Sequence, residues 1–504
     1  MKYQSIIGRE EEIATLERLY KSQKPEFIAI YGRRRIGKSY LVSEVYGKKI
    51  VFTAVGTYMK VEDEELEDDK VYETYRRIQL DHFYDALLLA GLPEQDAKPS
   101  CWREAFVMLR KLLAGIKKRR MVVVIDELPW LAGPQSSEMI SELGYFWNSW
   151  GGKQRNIVMV VLGSATSWML DNVIDDYGGL HGRLTETIKL RPFTLAECEC
   201  YYKKHGFRLS RYEMCVGYMA LGGVPYYLDK LRNDQTMTEN LDRIFFADEK
   251  IHQEFKDVYA GLYQKKERYI DIVKALGGQF YGMTQKEIVD AIKVKSGGTL
   301  SKHLKNLLES GVVRLYPRYG KERVEQVYQL VDFFSLFYLR FVQGSTTRKG
   351  MWSSIHGTGT FFAWAGDTFE LLSIQHLEQL QDALRIASVD RNYCWRGLAP
   401  DGHTAQIDLV MESKASQTDF LCEMKFLRPC GSKRPKVERS MGKFSVTLED
   451  EKEILHRLSA FEASKMHQPS QSIQVVLVTT MGLARGEHAG VVHRVVTLED
   501  LFKY

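Results

Sequence analysis

No apolar run in these 504 residues approaches the length that spans a bilayer; the longest, such as 157–162, suit buried strands. A helical membrane anchor is therefore excluded from the reading. Cysteine is sparse. The seven are scattered, none forms Cys-x-x-Cys, and Cys198-x-Cys200 lacks zinc spacing. A disulfide framework and a zinc ribbon both fall away, and buried inert thiols in a reducing cytoplasm fit. The start, Met1-Lys2-Tyr3-Gln4-Ser5, runs into Glu10-Glu11-Glu12 without the apolar core of a signal peptide, so a cytoplasmic protein is expected. Neither sign of charge dominates: the formal net charge is +5, which permits a nucleic-acid partner without arguing for one. Hydrophobic residues at 44% and charged residues at 27% exclude wholesale disorder. The length calls for two to four domains.

What is present begins with Tyr31-Gly32-Arg33-Arg34-Arg35-Ile36-Gly37-Lys38-Ser39, preceded by Phe27-Ile28-Ala29-Ile30 and followed by Tyr40-Leu41-Val42. The pattern is strand, glycine-bounded loop, helix start, with the Gly-x4-Gly-Lys-Ser spacing of a phosphate-binding loop. Phosphate needs closely spaced donors, and successive backbone N–H groups in such a loop supply them. Gly32 and Gly37 can take positive φ, and the helix from Lys38 adds its partial positive charge. Lys38 would reach the outer phosphates of ATP and Ser39 would ligand Mg²⁺.

A basic cluster, Lys117-Lys118-Arg119-Arg120, leads into Met121-Val122-Val123-Val124-Ile125-Asp126-Glu127. The continuous β-branched run means a strand buried on both faces, and acids at its carboxyl end lie where open α/β sheets bind ligands. Asp126 could hold Mg²⁺ through water and Glu127 could polarise the attacking water. A third buried strand, 157–162, ends in Gly163-Ser164-Ala165-Thr166. Ser164 or Thr166 would meet the γ-phosphate or its water, or simply turn the chain. Gly179-Leu180-His181-Gly182-Arg183-Leu184 offers Arg183 either to neutralise charge in phosphoryl transfer or as a surface side chain. The acid-crowded stretch 61–70 reads as a solvated excursion.

The chain changes character over 265–330. Helices at 269–276, from Thr284 (capping box with Glu287) and over 299–310 are followed by a hairpin, 312–315 with 324–330, around Gly320. Ser296-Gly297-Gly298 reads as the turn before the third helix. Three helices and a hairpin form a winged helix-turn-helix. In the third helix Leu300, Leu304, Leu307 and Leu308 point inward and Lys302, His303, Lys305 and Asn306 outward. In a DNA reader Lys302, Lys305 and Asn306 would face the major groove, with Arg318, Lys321 and Arg323 on phosphate; in a lid or packing domain the same face is merely solvated. The aromatic helix 331–341 suits docking against a neighbouring domain.

In the last third a helix runs from Trp364 to about Leu384, with strands over 406–411, 419–426 and 475–479. Glu423 and Lys425, two apart, project from one strand face, and Asp408 can complete the cluster from the next strand. Two carboxylates would hold Mg²⁺ and the lysine would position water; Glu-x-Lys is also common on solvated strands. The basic segment 427–443 either tracks a phosphate backbone or is a disordered loop.

Gly8-Arg9-Glu10, the loop 31–39, Ile125-Asp126-Glu127-Leu128-Pro129-Trp130-Leu131, Phe146-Trp147-Asn148, Leu162-Gly163-Ser164, Gly182-Arg183, Arg191-Pro192-Phe193 and Gly222-Gly223-Val224-Pro225 occur in the order seen in one family. Over nearly its whole length the chain resembles a prokaryotic, archaeal-type DEXX-box ATPase of the AAA+/STAND-related group. The resemblance implies an α/β fold: a P-loop NTPase parallel sheet (1–195), a helical lid (196–262), a winged helix-turn-helix (263–345) and a C-terminal restriction-endonuclease-like α/β domain (346–504). ATP and Mg²⁺ are its implied cofactors. Gly32, Arg33, Arg34, Arg35, Ile36, Gly37, Lys38, Ser39, Tyr40 and Ser164 would bind nucleotide, Ser39 and Asp126 the metal, and Glu127, Lys38 and Arg183 would act in catalysis, Arg183 within its own subunit or a neighbour's. Glu370, Asp408, Glu423 and Lys425 match the PD-(D/E)xK nuclease pattern, with Gln406 preceding Asp408. Three functions follow: a nucleotide-driven switch on nucleic acid, a nucleotide-gated DNA nuclease, or a non-enzymatic ATP-gated assembly. DNA is the implied partner, a homo-oligomer is allowed, and no membrane is involved.

Overall fold

The computed structural model describes every residue except 1–2, 4, 60–68, 95–96, 134–136, 176–179, 181, 248, 261–265, 295–296, 320–323, 346–348, 430–441, 465 and 504. The expectations for most of 61–70, for Gly179, His181, Ser296, Gly320, Lys321 and Arg323, and for the middle of 427–443, fall outside the described residues. The chain forms two compact units. The first comprises Met1–Pro192, Lys256–Tyr269 and Thr299–Ser310; the second comprises Phe193–Phe255, Ile270–Gly298 and Gly311–Tyr504.

The first unit is built on five strands: β1 (Glu26–Tyr31), β2 (Ile50–Val55), β3 (Met121–Asp126), β4 (Ile157–Gly163) and β5 (Glu186–Lys189). All pair in parallel, in the order β2-β3-β4-β1-β5. Parallel strands need crossover helices, which cover both faces, and the side chains sort accordingly with period two. Phe27, Ala29, Met121, Val123, Ile125, Met159 and Val161 join one core with Phe83, Trp102, Phe106 and Trp147 from the helices on that side. Ile28, Ile30, Val122, Val124, Val158, Val160 and Leu162 join the other with Leu16, Leu19, Leu41 and Val45. Every residue of β4 is buried, as its apolar run requires.

In the second unit, residues 193–255 are mostly helical, including Leu195–Lys204, Arg211–Leu221 and Met237–Phe246. Among the described residues its seven strands are β6 (Val313–Tyr319), β7 (Val324–Leu330), β8 (Arg391–Leu398), β9 (Thr404–Ser413), β10 (Thr418–Lys425), β11 (Ser472–Thr479) and β12 (Arg494–Thr497). They form one mixed sheet, β12-β11-β10-β9-β8-β6-β7. The hairpin expected as a two-stranded wing forms, with Arg318 opposite Glu325, and it also joins this sheet where Tyr319 pairs with Trp395. The capping box at Thr284 is present. The long helix expected from Trp364 to Leu384 is two, Gly359–Gln375 and Leu377–Leu384. It breaks at His376, whose ring accepts the Leu195 N–H at 3.0 Å through Nε2 and lies 2.9 Å from the Leu372 carbonyl through Nδ1. The six cysteines among the described residues are free thiols. Among the described residues no helix is long and apolar enough to cross a membrane.

The helix Gly298–Glu309 corrects one expectation. Lys302 and Lys305 are exposed, but His303 and Asn306 are buried. The Asn306 amide donates to the Tyr269 hydroxyl at 2.5 Å, and the His303 ring lies 4.6 Å from the Tyr269 ring. The His303 ring also lies 2.6 Å from the Thr299 carbonyl through Nδ1, so both residues find partners inside what periodicity makes an outer face. Lys305 pairs with Asp171 at 2.8 Å. Asn306 is thus unavailable to a base edge in this structure.

Candidate functional site

The site lies at the carboxyl ends of the parallel strands. Tyr31 is in register with Gly163, and Ile125 with Val161, so the loop after β1, the acids after β3 and Ser164 after β4 emerge side by side. Glycine is required at Gly32: φ is +141°, and a Cβ there would stand 2.4 Å from the Leu190 carbonyl. Lys38, at the start of the helix Lys38–Tyr46, is buried, and its ammonium donates to the carbonyls of Gly32 at 2.9 Å and Arg33 at 3.0 Å. Burial pulls its pKa down to about 8, against the opposing pull of Glu127 and Asp126. Ile36 is buried, Arg34 lies 3.5 Å from the Asp257 carbonyl, and Ser39 and Tyr40 are exposed.

The Ser39 hydroxyl donates to Asp126 Oδ2 at 2.6 Å, while Asp126 Oδ1 accepts the Glu127 N–H at 2.8 Å. Glu127 has left-handed backbone, φ 48° and ψ 47°, an unusual cost for a non-glycine residue and one that turns its carboxylate toward β4. There it accepts the Ser164 hydroxyl at 2.7 Å and the Ser164 N–H at 3.3 Å. The structure therefore brings together Gly32–Tyr40, Asp126, Glu127 and Ser164. Two residues on, the buried Thr166 hydroxyl has no hydrogen-bond partner among the described residues.

Arg183 is not in this cluster. It is exposed in the turn before β5, whose Glu186 pairs with Ile28 and whose Lys189 pairs with Tyr31. Thr185 already donates to the Phe27 carbonyl at 2.8 Å. Arg183 therefore stands at the amino ends of the strands, about 20 Å of extended chain from the phosphate loop.

Sequence reasoning missed Gly56. Its N–H donates to the Asp126 carbonyl at 2.9 Å, and a Cβ there would lie 2.3 Å from the Glu127 carbonyl oxygen and 2.4 Å from the Leu131 nitrogen. The glycine directly after the edge strand β2 was the available signal.

In the second unit Glu370, Asp408, Glu423 and Lys425 are also neighbours. Burial, then repulsion from Asp408, raises the pKa of the Glu370 carboxyl above its ordinary range; burial, then Glu423, raises that of Asp408. Lys425 pairs with Glu423 at 2.6 Å, and the Met424 N–H donates to Asp408 at 3.1 Å. Arg457, from the helix Leu448–Glu462, grips both Glu423 and Glu453. This arginine was not anticipated; only its i,i+4 spacing from Glu453 hinted at a paired side chain. Among the described residues no three His, Cys, Asp or Glu side chains stand where they could share a metal ion. Lys425 and Arg457 neutralise Glu423, and burial favours the protonated forms of Glu370 and Asp408, so a metal here would have to displace both cations and protons.

A five-stranded parallel sheet with a glycine-bounded loop after β1 and an acid pair after β3 is an α/β architecture like that of P-loop ATPases. Residues 6–231 match a family described as an ATPase domain predominantly from Archaea. An uncharacterized protein of Methanocaldococcus jannaschii is 25% identical over 383 residues, 74% of this chain and 78% of its own. Among solved structures, a Walker-type ATPase of Pyrococcus abyssi aligns with TM-score 0.44 at 19% identity, over 67% of this chain and 97% of its own. The ORC2 protein of Aeropyrum pernix, in its ADPNP–ADP complexes, aligns with TM-score 0.38 at 13% identity, over 69% and 95%.

Proposed function

We propose that the first unit binds ATP and hydrolyses it, and that the protein works as a nucleotide-driven switch on nucleic acid. The loop 32–39 supplies backbone donors, and Lys38 turns from the loop's carbonyls to the outer phosphates. The donor set fits Mg²⁺: a hydroxyl on Ser39 and a carboxylate on Asp126, hard oxygens already 2.6 Å apart. When bound, the ion neutralises phosphate charge. Glu127 orients and polarises the attacking water, and Ser164 fixes the carboxylate that does so.

The observation that carries this reading is the pairing of Glu127 with Ser164 beside the Ser39–Asp126 contact. The decisive experiment is ATP turnover by the full chain and by Lys38→Ala, which should lose nucleotide binding. If Arg183 acts in hydrolysis, its position at the far end of the sheet makes it a residue for a second copy's nucleotide, as a homo-oligomer would provide.

A second reading is an ATP-regulated nuclease, favoured by the meeting of Glu370, Asp408, Glu423 and Lys425. Arg457 would first have to leave Glu423. Nicking of supercoiled plasmid with Mg²⁺ or Mn²⁺, with and without ATP, and its loss in Asp408→Asn would support it. A third reading, non-enzymatic assembly, is separated by mass in solution: ATP would change it without turnover.

A further inference from the structure

Because the strands of the first unit are all parallel, every one begins at the end of the sheet away from the phosphate loop. Lys24 precedes β1, Lys48 precedes β2, Lys117, Lys118 and Arg119 precede β3, and Lys153 and Arg155 precede β4. All seven are exposed. The four strands are adjacent, β2-β3-β4-β1, so their leading loops form one continuous face.

The loops are tied to one another. The buried Arg120 guanidinium donates to the carbonyls of Lys24 at 2.6 Å and Leu19 at 2.8 Å, and to that of Arg155. The Asn156 amide donates to the Lys118 carbonyl at 3.2 Å, and the Lys118 ammonium lies 3.5 Å from the Lys48 carbonyl. The nearby carboxylates are committed elsewhere. Glu26 is buried, Glu17 receives the Tyr3 hydroxyl, and Glu186 pairs with Arg18 at 2.9 Å. Among the described residues none of the seven cations is in an ion pair. In a chain with 70 basic and 65 acidic residues, such a one-sign face stands apart from the balanced average.

Four adjacent strands span about 14 Å. That is close to the width of a duplex major groove, about 12 Å, so cations at the two edges of the face can reach phosphates on both of its sides. No exposed large hydrophobic side chain lies in these loops, which leaves nothing to stack on an unpaired base or to enter a bilayer. We infer that this amino-terminal pole of the sheet is a docking surface for duplex nucleic acid, which it holds by the phosphate backbone without reading sequence. Its residues are none of those of the helix Gly298–Glu309 or of the acidic cluster of the second unit. It does not depend on the ATPase reading, because it occupies the other end of the sheet.

The test is fluorescence anisotropy of a labelled 20-base-pair duplex with the full chain, from 50 to 200 mM KCl. Two variants on separate loops, Lys117→Ala/Lys118→Ala/Arg119→Ala and Lys153→Ala/Arg155→Ala, guard against one that fails to fold; melting curves report folding. The triple variant should bind about 10- to 100-fold more weakly, and the slope of log affinity against log salt should fall by about 0.9 for each contact removed. Scrambling the duplex sequence should change nothing. Binding by both folded variants equal to the parent's would overturn the proposal. So would a parent that binds phosphatidylserine vesicles but not the duplex, or that binds neither at 50 mM salt.

Discussion

The Ser164 hydroxyl donates to the Glu127 carboxylate at 2.7 Å, across the gap between the tips of β4 and β3. The sequence offered Ser164 to the γ-phosphate or its water; here its hydroxyl is spent on the acid. A charge-assisted hydrogen bond of this kind is worth roughly 1.5–3 kcal/mol. If it aims Glu127 at water, Ser164→Ala should lower kcat for ATP about 10- to 100-fold with KM nearly unchanged. Steady-state kinetics checks it; a fall in ATP affinity alone would place Ser164 on the nucleotide instead.

Gly56 presses on the same acid from the other side. A methyl group at that position collides with backbone at Glu127 and Leu131, which cannot move aside as a side chain would. Gly56→Ala should destabilise the first unit by about 1–3 kcal/mol, the usual cost of overpacking. It should also lower turnover more than nucleotide binding. Thermal unfolding and ATP titration read the two effects separately.

Arg120 donates to three backbone carbonyls at the opposite end of the sheet, those of Leu19, Lys24 and Arg155. Arg120→Ala removes the side-chain donor from each, at about 1–3 kcal/mol for every acceptor left with neither another donor nor water. Lysine lacks the planar fork and should rescue little of the loss. Urea denaturation of parent, Ala and Lys variants makes the comparison; equal midpoints for parent and Lys would show that charge alone suffices.

His376 is buried at the break between two helices, and burial pulls its pKa from 6.5 down to about 4. The unfolded chain takes up a proton below about pH 6.5 that the folded chain refuses. The stabilising effect of the neutral ring is thus full above that pH and is lost as pH falls toward 4. The shift corresponds to about 3 kcal/mol. Stability of the parent should decline over this window, and His376→Gln should decline less; parallel pH profiles would exclude the histidine as the cause.

The parts legible in the sequence were those where one physical demand acts alone. β1, β3 and β4 are buried on both faces, so their runs are continuously apolar. The phosphate loop is bounded by glycines because its backbone turns sharply. β2 and β5 are the sheet's edges. β5 is only Glu-Thr-Ile-Lys, and β2, as long as β1, is exposed at alternate positions and interrupted by Thr53, so neither carries a continuously buried run. His303 and Asn306 misled because helical periodicity marks a polar residue as outward, and only tertiary structure supplies Tyr269, which accepts from Asn306 and packs against the His303 ring. Gly56 and Arg457 act through neighbours remote in sequence, which no local pattern displays.

The central claim is that the acid at the tip of β3 serves ATP hydrolysis while the loop after β1 holds the nucleotide. Single-turnover assays with radiolabelled ATP and Mg²⁺, comparing the parent with Glu127→Gln, test it most directly. The expected result is nucleotide retained at parental affinity with cleavage slowed at least about 100-fold. Cleavage by the Gln variant at the parental rate would contradict the account.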